Sequence, residues 1–191
     1  MAALNHDAVI LAGGRGSRLG GVNKPELELG GRRLLDAALA AAAAARRVVV
    51  VGDVTVPDGV LRTREDPPYG GPVAALEAGC RLLDAAPGRA PWTLVLASDL
   101  PDAEAAVTVL LAEDPGDADG LCLLDADLRL QWLLGVYRSA ALAARLAGRG
   151  GITAMYRLLE PLALRGVDPR GASTDDLDTP EALAAWRERT T

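Results

Sequence analysis

The chain of 191 residues has little of what several functional classes require. It contains no Phe, three Trp and three Tyr, so its core must be built from Ala, Leu and Val. Its two cysteines, Cys80 and Cys122, lie far apart without a CxxC spacing, which predicts reduced core thiols in a cytoplasmic protein. The single histidine, His6, precedes the first predicted strand, where we expect it to be exposed to solvent. No Ser-His-Asp or Cys-His set for nucleophilic catalysis is evident.

Long apolar runs are also missing. No stretch approaches the ~20 apolar residues of a membrane span, and the first apolar run is too short for a signal peptide. The net charge of −6, from 20 basic and 26 acidic side chains, argues against non-specific binding to nucleic acid. We therefore expect neither a membrane nor a nucleic acid as partner. The length favours a single domain covering residues 1–191.

The most informative feature that is present is a basic, glycine-rich loop near the N-terminus. An apolar run at 8–12, typical of a buried strand, leads into a loop with five glycines. Glycine lets backbone N–H groups approach an anion closely, and Arg15, Arg18 and Lys24 add positive charge. This combination predicts a loop that binds the phosphates of a nucleotide.

The spacing of this loop excludes two common phosphate-binding motifs. A Walker loop requires Gly-Lys-Ser/Thr, but Lys24 stands between Asn23 and Pro25. A dinucleotide-binding turn requires a third glycine where this chain has Leu19. An ordinary strand-to-helix connection is the remaining alternative, although such connections usually have about 2–6 residues.

Strand and helix patterns alternate along the rest of the chain. Buried strands are predicted at 48–51 and 92–97, and a helix with one apolar face begins at residue 73. A shorter strand at 26–29 and an alanine-rich helix at 32–45 follow the glycine loop. This alternation predicts an α/β fold, a three-layer α/β/α sandwich with a mostly parallel, Rossmann-like sheet. Residues 125–165 form a candidate small lobe for binding an acceptor.

Acidic residues at two places are candidate metal ligands. Asp99 directly follows the strand at 92–97, where open α/β sheets bind their ligands, and carboxylate oxygens suit Mg²⁺. The alternative is that Asp99 only caps the next helix, with Pro101 at its start. Asp176 and Asp178 would point to the same side of an extended segment, and we favour Asp178 as the second ligand. The alternative for this pair is an acidic helix start.

These segments together resemble a known family. Its members carry Leu-Ala-Gly-Gly, a basic stretch and Lys-Pro, and the matching positions here are Leu11, Ala12, Gly13, Gly14, Arg15, Arg18, Gly20, Lys24 and Pro25. The chain resembles nucleotidyltransferases that activate a phosphate-bearing acceptor with an NTP, and within them the molybdenum cofactor guanylyltransferases (MobA-like NTP transferases). The segments 65–76, Asp99-Leu100-Pro101 and 176–181 also match in order. Ser98 replaces the cysteine usual in the family.

The resemblance implies a reaction of GTP with molybdenum-bound molybdopterin, giving the guanine dinucleotide cofactor and pyrophosphate. It implies Mg²⁺ as cofactor and molybdoenzyme maturation proteins as candidate partners. Its implied catalytic residues are Arg15, Arg18, Lys24 and Asp99. Its implied metal ligands are Asp99, Asp176 and Asp178. Its implied nucleotide-binding residues are Leu11, Ala12, Gly13, Gly14, Lys24, Gly52, Asp66, Gly71, Pro72 and Asp99. Gly52 could contribute only its backbone. For the segment 65–76, a loop without a ligand remains the alternative.

Two further interpretations of the resemblance stay open. The chain could use CTP, or a sugar phosphate or polyol phosphate as acceptor, on the same scaffold. It could also be a nucleotide-binding module without turnover, although such a module would be expected to lack Lys24 or Asp99.

Overall fold

The structure is a computed structural model that describes residues 4–13, 25, 27–29 and 31–174. The described strands are β1 (His6–Leu11), β2 (Glu28–Leu29), β3 (Arg32–Arg33), β4 (Val48–Val51), β5 (Leu61–Thr63), β6 (Trp92–Ala97), β7 (Gly120–Leu124), β8 (Leu130–Arg138) and β9 (Leu164–Val167). The described helices are α1 (Leu34–Ala41), α2 (Pro72–Asp84), α3 (Ala103–Leu111), α4 (Ser139–Ala147) and α5 (Met155–Leu159).

Within these ranges, seven strands form one sheet in the order β5-β4-β1-β6-β8-β7-β9. The strands run parallel except β8, which pairs antiparallel with both β6 and β7. The short strands β2 and β3 form a separate antiparallel hairpin. Because parallel strands end at the same edge of a sheet, the segments that follow β1, β4, β5 and β6 meet at one edge, and β8 begins there. We call this edge the carboxyl edge.

Alternate residues of the central strands face two separate hydrophobic layers. In β1, Ala8 and Ile10 pack in a cluster with side chains of α1 and α3, while Val9 and Leu11 pack with α2, α4 and α5. Helix α2 lies very close to the sheet, because a Cβ atom at Gly79 would come within 2.5 Å of Val9 Cγ1. Helices therefore cover both faces of the sheet, and the predicted three-layer, mostly parallel architecture is confirmed.

Several local predictions need correction. His6 is only 2% exposed, because β1 begins two residues before the apolar run and His6 pairs in register with Trp92. The helix predicted at 32–45 is α1, Leu34–Ala41, because Arg32 and Arg33 pair with β2 instead. The acidic helix start considered as an alternative for Asp176 and Asp178 falls outside the described residues. No helix of the described ranges is both long and apolar enough to cross a membrane.

Both cysteines are free and buried, as predicted. Cys122 lies 3.1 Å from the hydroxyl oxygen of Tyr137, which donates a hydrogen bond to the carbonyl oxygen of Trp132 at 2.7 Å. Burial raises the pKa of the Cys122 thiol to about 11, so the thiol stays protonated at neutral pH. A protonated, buried thiol is a poor nucleophile, which is consistent with a structural role for this group.

Candidate functional site

The segments that follow β1, β4 and β6 are tied together at the carboxyl edge. The amide of Ala12 donates to the carbonyl oxygen of Val51 at 2.8 Å, which joins the start of the glycine loop to the end of β4. The amide of Ser98 donates to the carbonyl oxygen of Leu11 at 3.1 Å, which joins the same loop to the end of β6. The start of the glycine loop thus lies between the segments that carry Gly52 and Asp99.

Gly52 allows the backbones of two of these segments to approach each other. A Cβ atom at Gly52 would lie 2.5 Å from the carbonyl oxygen of Ala12 and 2.8 Å from its carbonyl carbon. Such distances are too short for any side chain. Glycine is therefore required at this position for steric reasons, and only its backbone can face a ligand. Leu11 and Ala12 are themselves buried, so they too can offer a ligand only backbone groups.

Asp99 lies in the turn that links β6 to α3 and is partly exposed, whereas Ser98 beside it is buried. The residue that occupies the N-cap position of α3 is Asp102, three residues further on. The alternative interpretation, in which Asp99 only caps this helix, is therefore not supported. Asp99 lies in the turn next to Ser98, whose amide is bonded to the end of β1.

A carboxylate at this edge is the kind of oxygen donor that a magnesium ion uses. The described part of the chain contains no group of three or more His, Cys, Asp or Glu side chains that could hold a metal. Magnesium typically needs only one or two carboxylates, with waters and substrate phosphate oxygens completing its shell. Asp99 meets this requirement from the described residues, so the donor set fits this ion.

The loop between β5 and α2 has a defined internal structure. Glu65 is buried, and its Oε1 accepts a hydrogen bond from the amide of Tyr69 at 3.0 Å. Tyr69 adopts a left-handed backbone conformation with φ of 64°, and Gly71 follows with φ of 88°. Pro72 then begins α2, a position that suits proline because no backbone donor is needed there. The loop holds Asp66 on the surface, where it is exposed.

An ion pair links this loop to the segment after β4. The guanidinium of Arg64 lies 3.7 Å from the carboxylate of Asp53, and its carbon atom lies 5.3 Å from the centroid of the Tyr69 ring. Both side chains of the pair are well exposed, so this contact adds little stability by itself. It nevertheless connects the loop that carries Asp66 to the residue that follows Gly52.

The geometry thus brings Gly13, Gly52 and Asp99 to one edge, with the 64–72 loop beyond β4. The remaining candidate residues lie outside the described residues. They are Gly14, Arg15, Arg18, Lys24, Asp176 and Asp178.

The match to a family model extends over the same elements. The model of the MobA-like NTP transferase domain matches residues 8–165, which is most of the chain. The chain belongs to this family. The family assignment predicted from the sequence is confirmed, and the chain is a nucleotidyltransferase of the MobA-like type.

Solved structures share the fold of this MobA-like domain over nearly their whole length. Molybdopterin-guanine dinucleotide biosynthesis protein A from Archaeoglobus fulgidus superimposes with a TM-score of 0.74 at 21% identity, covering 96% of this chain and 98% of that one. The inositol-1-phosphate CTP transferase from T. maritima gives 0.71 at 14% identity, with 98% and 95% covered. The 2-C-methyl-D-erythritol 4-phosphate cytidylyltransferase from Thermus thermophilus gives 0.68 at 20% identity, with 95% and 97% covered. No curated protein sequence is significantly similar to this chain.

Sequence reasoning missed two residues of this MobA-like domain near the candidate site. One is Glu65, whose burial is visible only in the structure. The other is Asp102, whose carboxylate accepts a hydrogen bond from the amide of Ser173 at 2.8 Å. The one signal for Glu65 in the sequence was its position, next to Asp66 in a loop rich in Pro and Gly. No local pattern signals the contact of Asp102.

Proposed function

We propose that this chain transfers GMP from GTP to molybdenum-bound molybdopterin, forming the molybdopterin guanine dinucleotide cofactor and pyrophosphate. The observation that carries the proposal is the position of Asp99 beside the start of the glycine loop, through the bond from Ser98 to Leu11. The family assignment supports nucleotidyl transfer, and the similarity to the Archaeoglobus protein supports this choice of nucleotide and acceptor.

The reaction requires no covalent enzyme intermediate, because the acceptor phosphate is already an anion. Its oxygen would attack the α-phosphorus of GTP in line, and the bond to the β-phosphate oxygen would break to release pyrophosphate. Catalysis would then depend on positioning and on neutralising negative charge. In this proposal Arg15, Arg18 and Lys24 stabilise the charge on the departing pyrophosphate, and backbone groups of Gly13 and Gly14 contact the phosphates.

Carboxylates at the carboxyl edge would hold magnesium. We propose Asp99 and one of Asp176 and Asp178, with Asp178 favoured, as its protein ligands. When bound, the ion would supply positive charge against the phosphate oxygens of the nucleotide. The described chain approaches the same edge at Ser173, whose amide contacts Asp102, and this supports a ligand from the following segment.

The nucleoside of GTP is proposed to lie over the ends of β4 and β5. In this proposal the phosphates lie near β1, and the base extends from them away from Asp99. Because neighbouring strands are about 4.8 Å apart, a nucleoside in this direction reaches across the ends of β4 and β5. Gly52 would contribute backbone there, and Asp66 would contact the base or ribose. Gly71 and Pro72 would shape the entry to α2.

Substitution of Gly52 by alanine is expected to weaken GTP binding about tenfold. The new Cβ would collide with the carbonyl of Ala12, which must shift and carry Gly13 with it. Overpacking of this kind costs about 1–3 kcal/mol, and 1.4 kcal/mol corresponds to a factor of ten in affinity. Isothermal titration calorimetry with Mg-GTP measures the change.

Gly151→Ala is the matched control for this experiment. A Cβ at Gly151 would meet no atom within 4 Å, so the same substitution should leave GTP affinity unchanged. If both variants bound GTP as tightly as the wild type, the nucleotide would not lie against the Ala12–Gly52 contact.

Replacing Asp66 by alanine is expected to raise the dissociation constant for GTP by about ten- to a hundredfold, with little effect on turnover at saturation. A hydrogen bond to a charged group contributes about 1.5–3 kcal/mol, which sets this range. The carboxylate is exposed, so its loss should not destabilise the fold. The exposed Asp58 just before β5 provides a control, Asp58→Ala. An unchanged GTP affinity in the Asp66 variant would count against its role.

The acceptor is proposed to bind beside residues 125–165. The loop before α5 lies next to the 64–72 loop, which is proposed to contact the nucleotide, because a Cβ at Gly71 would be 3.7 Å from the carbonyl oxygen of Thr153. This adjacency supports an acceptor site beside these residues, from which the acceptor reaches the α-phosphate, within a single domain spanning 1–191. We further propose a cytoplasmic enzyme that delivers its product to molybdoenzyme maturation proteins.

A second candidate function is cytidylyl transfer, because two of the proteins with the same fold are named as CTP-using enzymes. Pyrophosphate release distinguishes the two when the protein is offered each of four NTPs with molybdenum-loaded molybdopterin, with a sugar phosphate or with a polyol phosphate. Release with GTP, and formation of the dinucleotide, is the expected result. Release only with CTP, or only with sugar or polyol phosphates, would favour the second candidate. Binding of Mg-GTP without release under any condition would indicate a binding module.

A further inference from the structure

Strand β8 is irregular at the end that lies at the carboxyl edge. Cys122 pairs with Gly135, and the next pair between β7 and β8 is Leu124 with Leu130. Between these two pairs β7 has one residue and β8 has four, so β8 carries three more residues than regular pairing allows. Bulges bend a strand and re-aim its side chains, and they are frequent next to active sites. We call residues 131–133 the β8 bulge.

The β8 bulge lies on the side of β6 that faces away from β1. The last pair between β6 and β8 is Leu96 with Leu134, and the bulge continues beyond this pair, where Ser98 and Asp99 follow β6. The nucleoside is proposed to lie over β4 and β5, which are on the other side of β1 in the sheet. The bulge is therefore placed on the side of the carboxyl edge that the nucleotide does not use in this proposal.

A buried tyrosine holds the backbone of the β8 bulge. The hydroxyl of Tyr137 donates a hydrogen bond to the carbonyl oxygen of Trp132 at 2.7 Å, and Tyr137 has no exposed surface. Burial raises the pKa of this hydroxyl, so it stays protonated and can donate. Because a bulge interrupts the hydrogen bonds of the ladder, a side-chain donor at this point gives the displaced backbone a fixed partner.

Two glycines make room for this tyrosine. A Cβ atom at Gly120 would lie 2.8 Å from Cδ1 of Tyr137, and a Cβ atom at Gly135 would lie 2.7 Å from its hydroxyl oxygen. A larger residue at either position would displace the tyrosine side chain. The packing of β7 and β8 therefore fixes where the hydroxyl lies, and with it the carbonyl group of Trp132.

A second contact orients a polar side chain of the β8 bulge. Asp125 Oδ1 accepts hydrogen bonds from the amides of Asp127 and Arg129, at 2.9 Å each, which builds the turn before β8. Asp125 Oδ2 accepts from Gln131 Nε2 at 2.8 Å. An ionised carboxylate only accepts, so Gln131 must turn its NH₂ group toward Asp125. No residue that the structure describes donates to Gln131 Oε1, so Gln131 can offer a ligand an acceptor oxygen beside an N–H donor.

We infer that the β8 bulge is an acceptor-binding element, in which Gln131 contacts the acceptor and Tyr137 is a positioning residue. This inference rests on the proposed function, in which the acceptor is a pterin. The pyrimidinone ring of a pterin carries N–H donors next to a carbonyl oxygen, and the carboxamide of Gln131 offers the complementary pair. Trp132 and Leu133, both partly buried, add apolar surface for a flat ring system.

Three variants of the full-length chain test the inference. Tyr137→Phe removes only the hydroxyl, and Gln131→Leu removes the carboxamide. Cys122→Ala is the matched control, because the Cys122 thiol lies 3.1 Å from the same hydroxyl, while the bond from Tyr137 to Trp132 remains in this variant. Steady-state pyrophosphate release gives kcat and the KM for molybdenum-loaded molybdopterin. Isothermal titration calorimetry gives the Kd for Mg-GTP.

We expect Tyr137→Phe and Gln131→Leu each to raise the acceptor KM about tenfold, as for the loss of one hydrogen bond, with kcat and the Kd for GTP unchanged. Cys122→Ala should match the wild type in all three values. An unchanged acceptor KM in either variant of the bulge would overturn the inference. An increase in Cys122→Ala equal to that in Tyr137→Phe would also overturn it, because general loosening of the core would then be responsible. Gln131 is partly exposed, so Gln131→Leu decides the matter if Tyr137→Phe does not fold.

The same variants separate this inference from the proposed function. If the wild type formed the guanine dinucleotide cofactor and the acceptor KM were unchanged in the variants, only the role of the bulge would be wrong. If the wild type used another nucleotide or phosphate acceptor, and both variants raised the KM for that acceptor, the bulge would stand and the proposed reaction would be wrong. If the wild type transferred nothing, calorimetry with molybdenum-loaded molybdopterin decides. Weaker binding by both variants would support the inference, and equal binding, or no binding by the wild type, would overturn it.

Discussion

Substitution of Asp99 by alanine is expected to lower the rate of pyrophosphate release by about a thousandfold while the protein stays folded. Asp99 is the described carboxylate proposed to hold magnesium, so its loss removes charge stabilisation of the phosphates during transfer. Removing one electrostatic group of this kind typically costs about 10²–10³ in turnover, and a displaced metal costs more. The measurement is pyrophosphate release from GTP with molybdenum-loaded molybdopterin, at saturating concentrations of both.

The fold should survive this substitution because Asp99 is not a core residue. It is partly exposed in the turn after β6, and the hydrogen bond from the amide of Ser98 to Leu11 does not involve its side chain. Circular dichroism should therefore show a folded protein with the secondary structure of the wild type. Asp58→Ala, in an exposed loop before β5, should keep full turnover. Full activity in a well-folded Asp99→Ala variant would falsify the assignment of Asp99 as a metal ligand.

The bounds of the central strands β4 and β6 could be predicted to the residue, because these strands consist almost entirely of apolar side chains. The continuous β-branched run at Val48–Val51 and the apolar run at Trp92–Ala97 are the strands β4 and β6 with the predicted bounds. A strand covered by helices on both faces needs apolar side chains at every position, so its limits coincide with the apolar run. The same rule led to Asp99, which follows such a run at the carboxyl edge. Gly52, which the family resemblance implied, also follows one.

The polar start of β1 could not be predicted in this way. His6 and Asp7 precede the apolar run, yet both are buried and paired in register with Trp92 and Thr93. Their burial depends on partners distant in sequence, and hydrophobic periodicity carries no information about those. The same applies to Asp102, whose residue type and position indicate an N-cap, while its actual partner is Ser173. Long-range polar contacts have no period in the sequence, so only the structure reveals them.

The charge buried at this end of β1 is compensated by specific partners. Asp7 has no exposed surface, and its carboxylate lies 2.9 Å and 3.3 Å from two guanidinium nitrogens of Arg47. The amide of Ala90 donates to the same carboxylate at 2.9 Å. Arg47 also donates to the carbonyl oxygen of Leu83 at 2.9 Å, which ties the end of α2 to the sheet. The carboxylate thus links three segments at the edge opposite the candidate site.

Replacing Asp7 by alanine is therefore expected to lower the free energy of unfolding by about 3–5 kcal/mol, because it leaves the partly buried charge of Arg47 and the amide of Ala90 without their acceptor. Urea denaturation at neutral pH measures the loss. Asp127→Ala is the matched control: the Asp127–Arg129 pair is 3.4 Å apart and its side chains are 70% and 77% exposed, so its removal should cost less than about 1 kcal/mol. Equal losses in the two variants would mean that the buried pair contributes no more than an exposed one. A marginally stable domain has only about 5–15 kcal/mol in total, so the expected loss would leave the Asp7 variant close to unfolding even though every residue of the candidate site is intact.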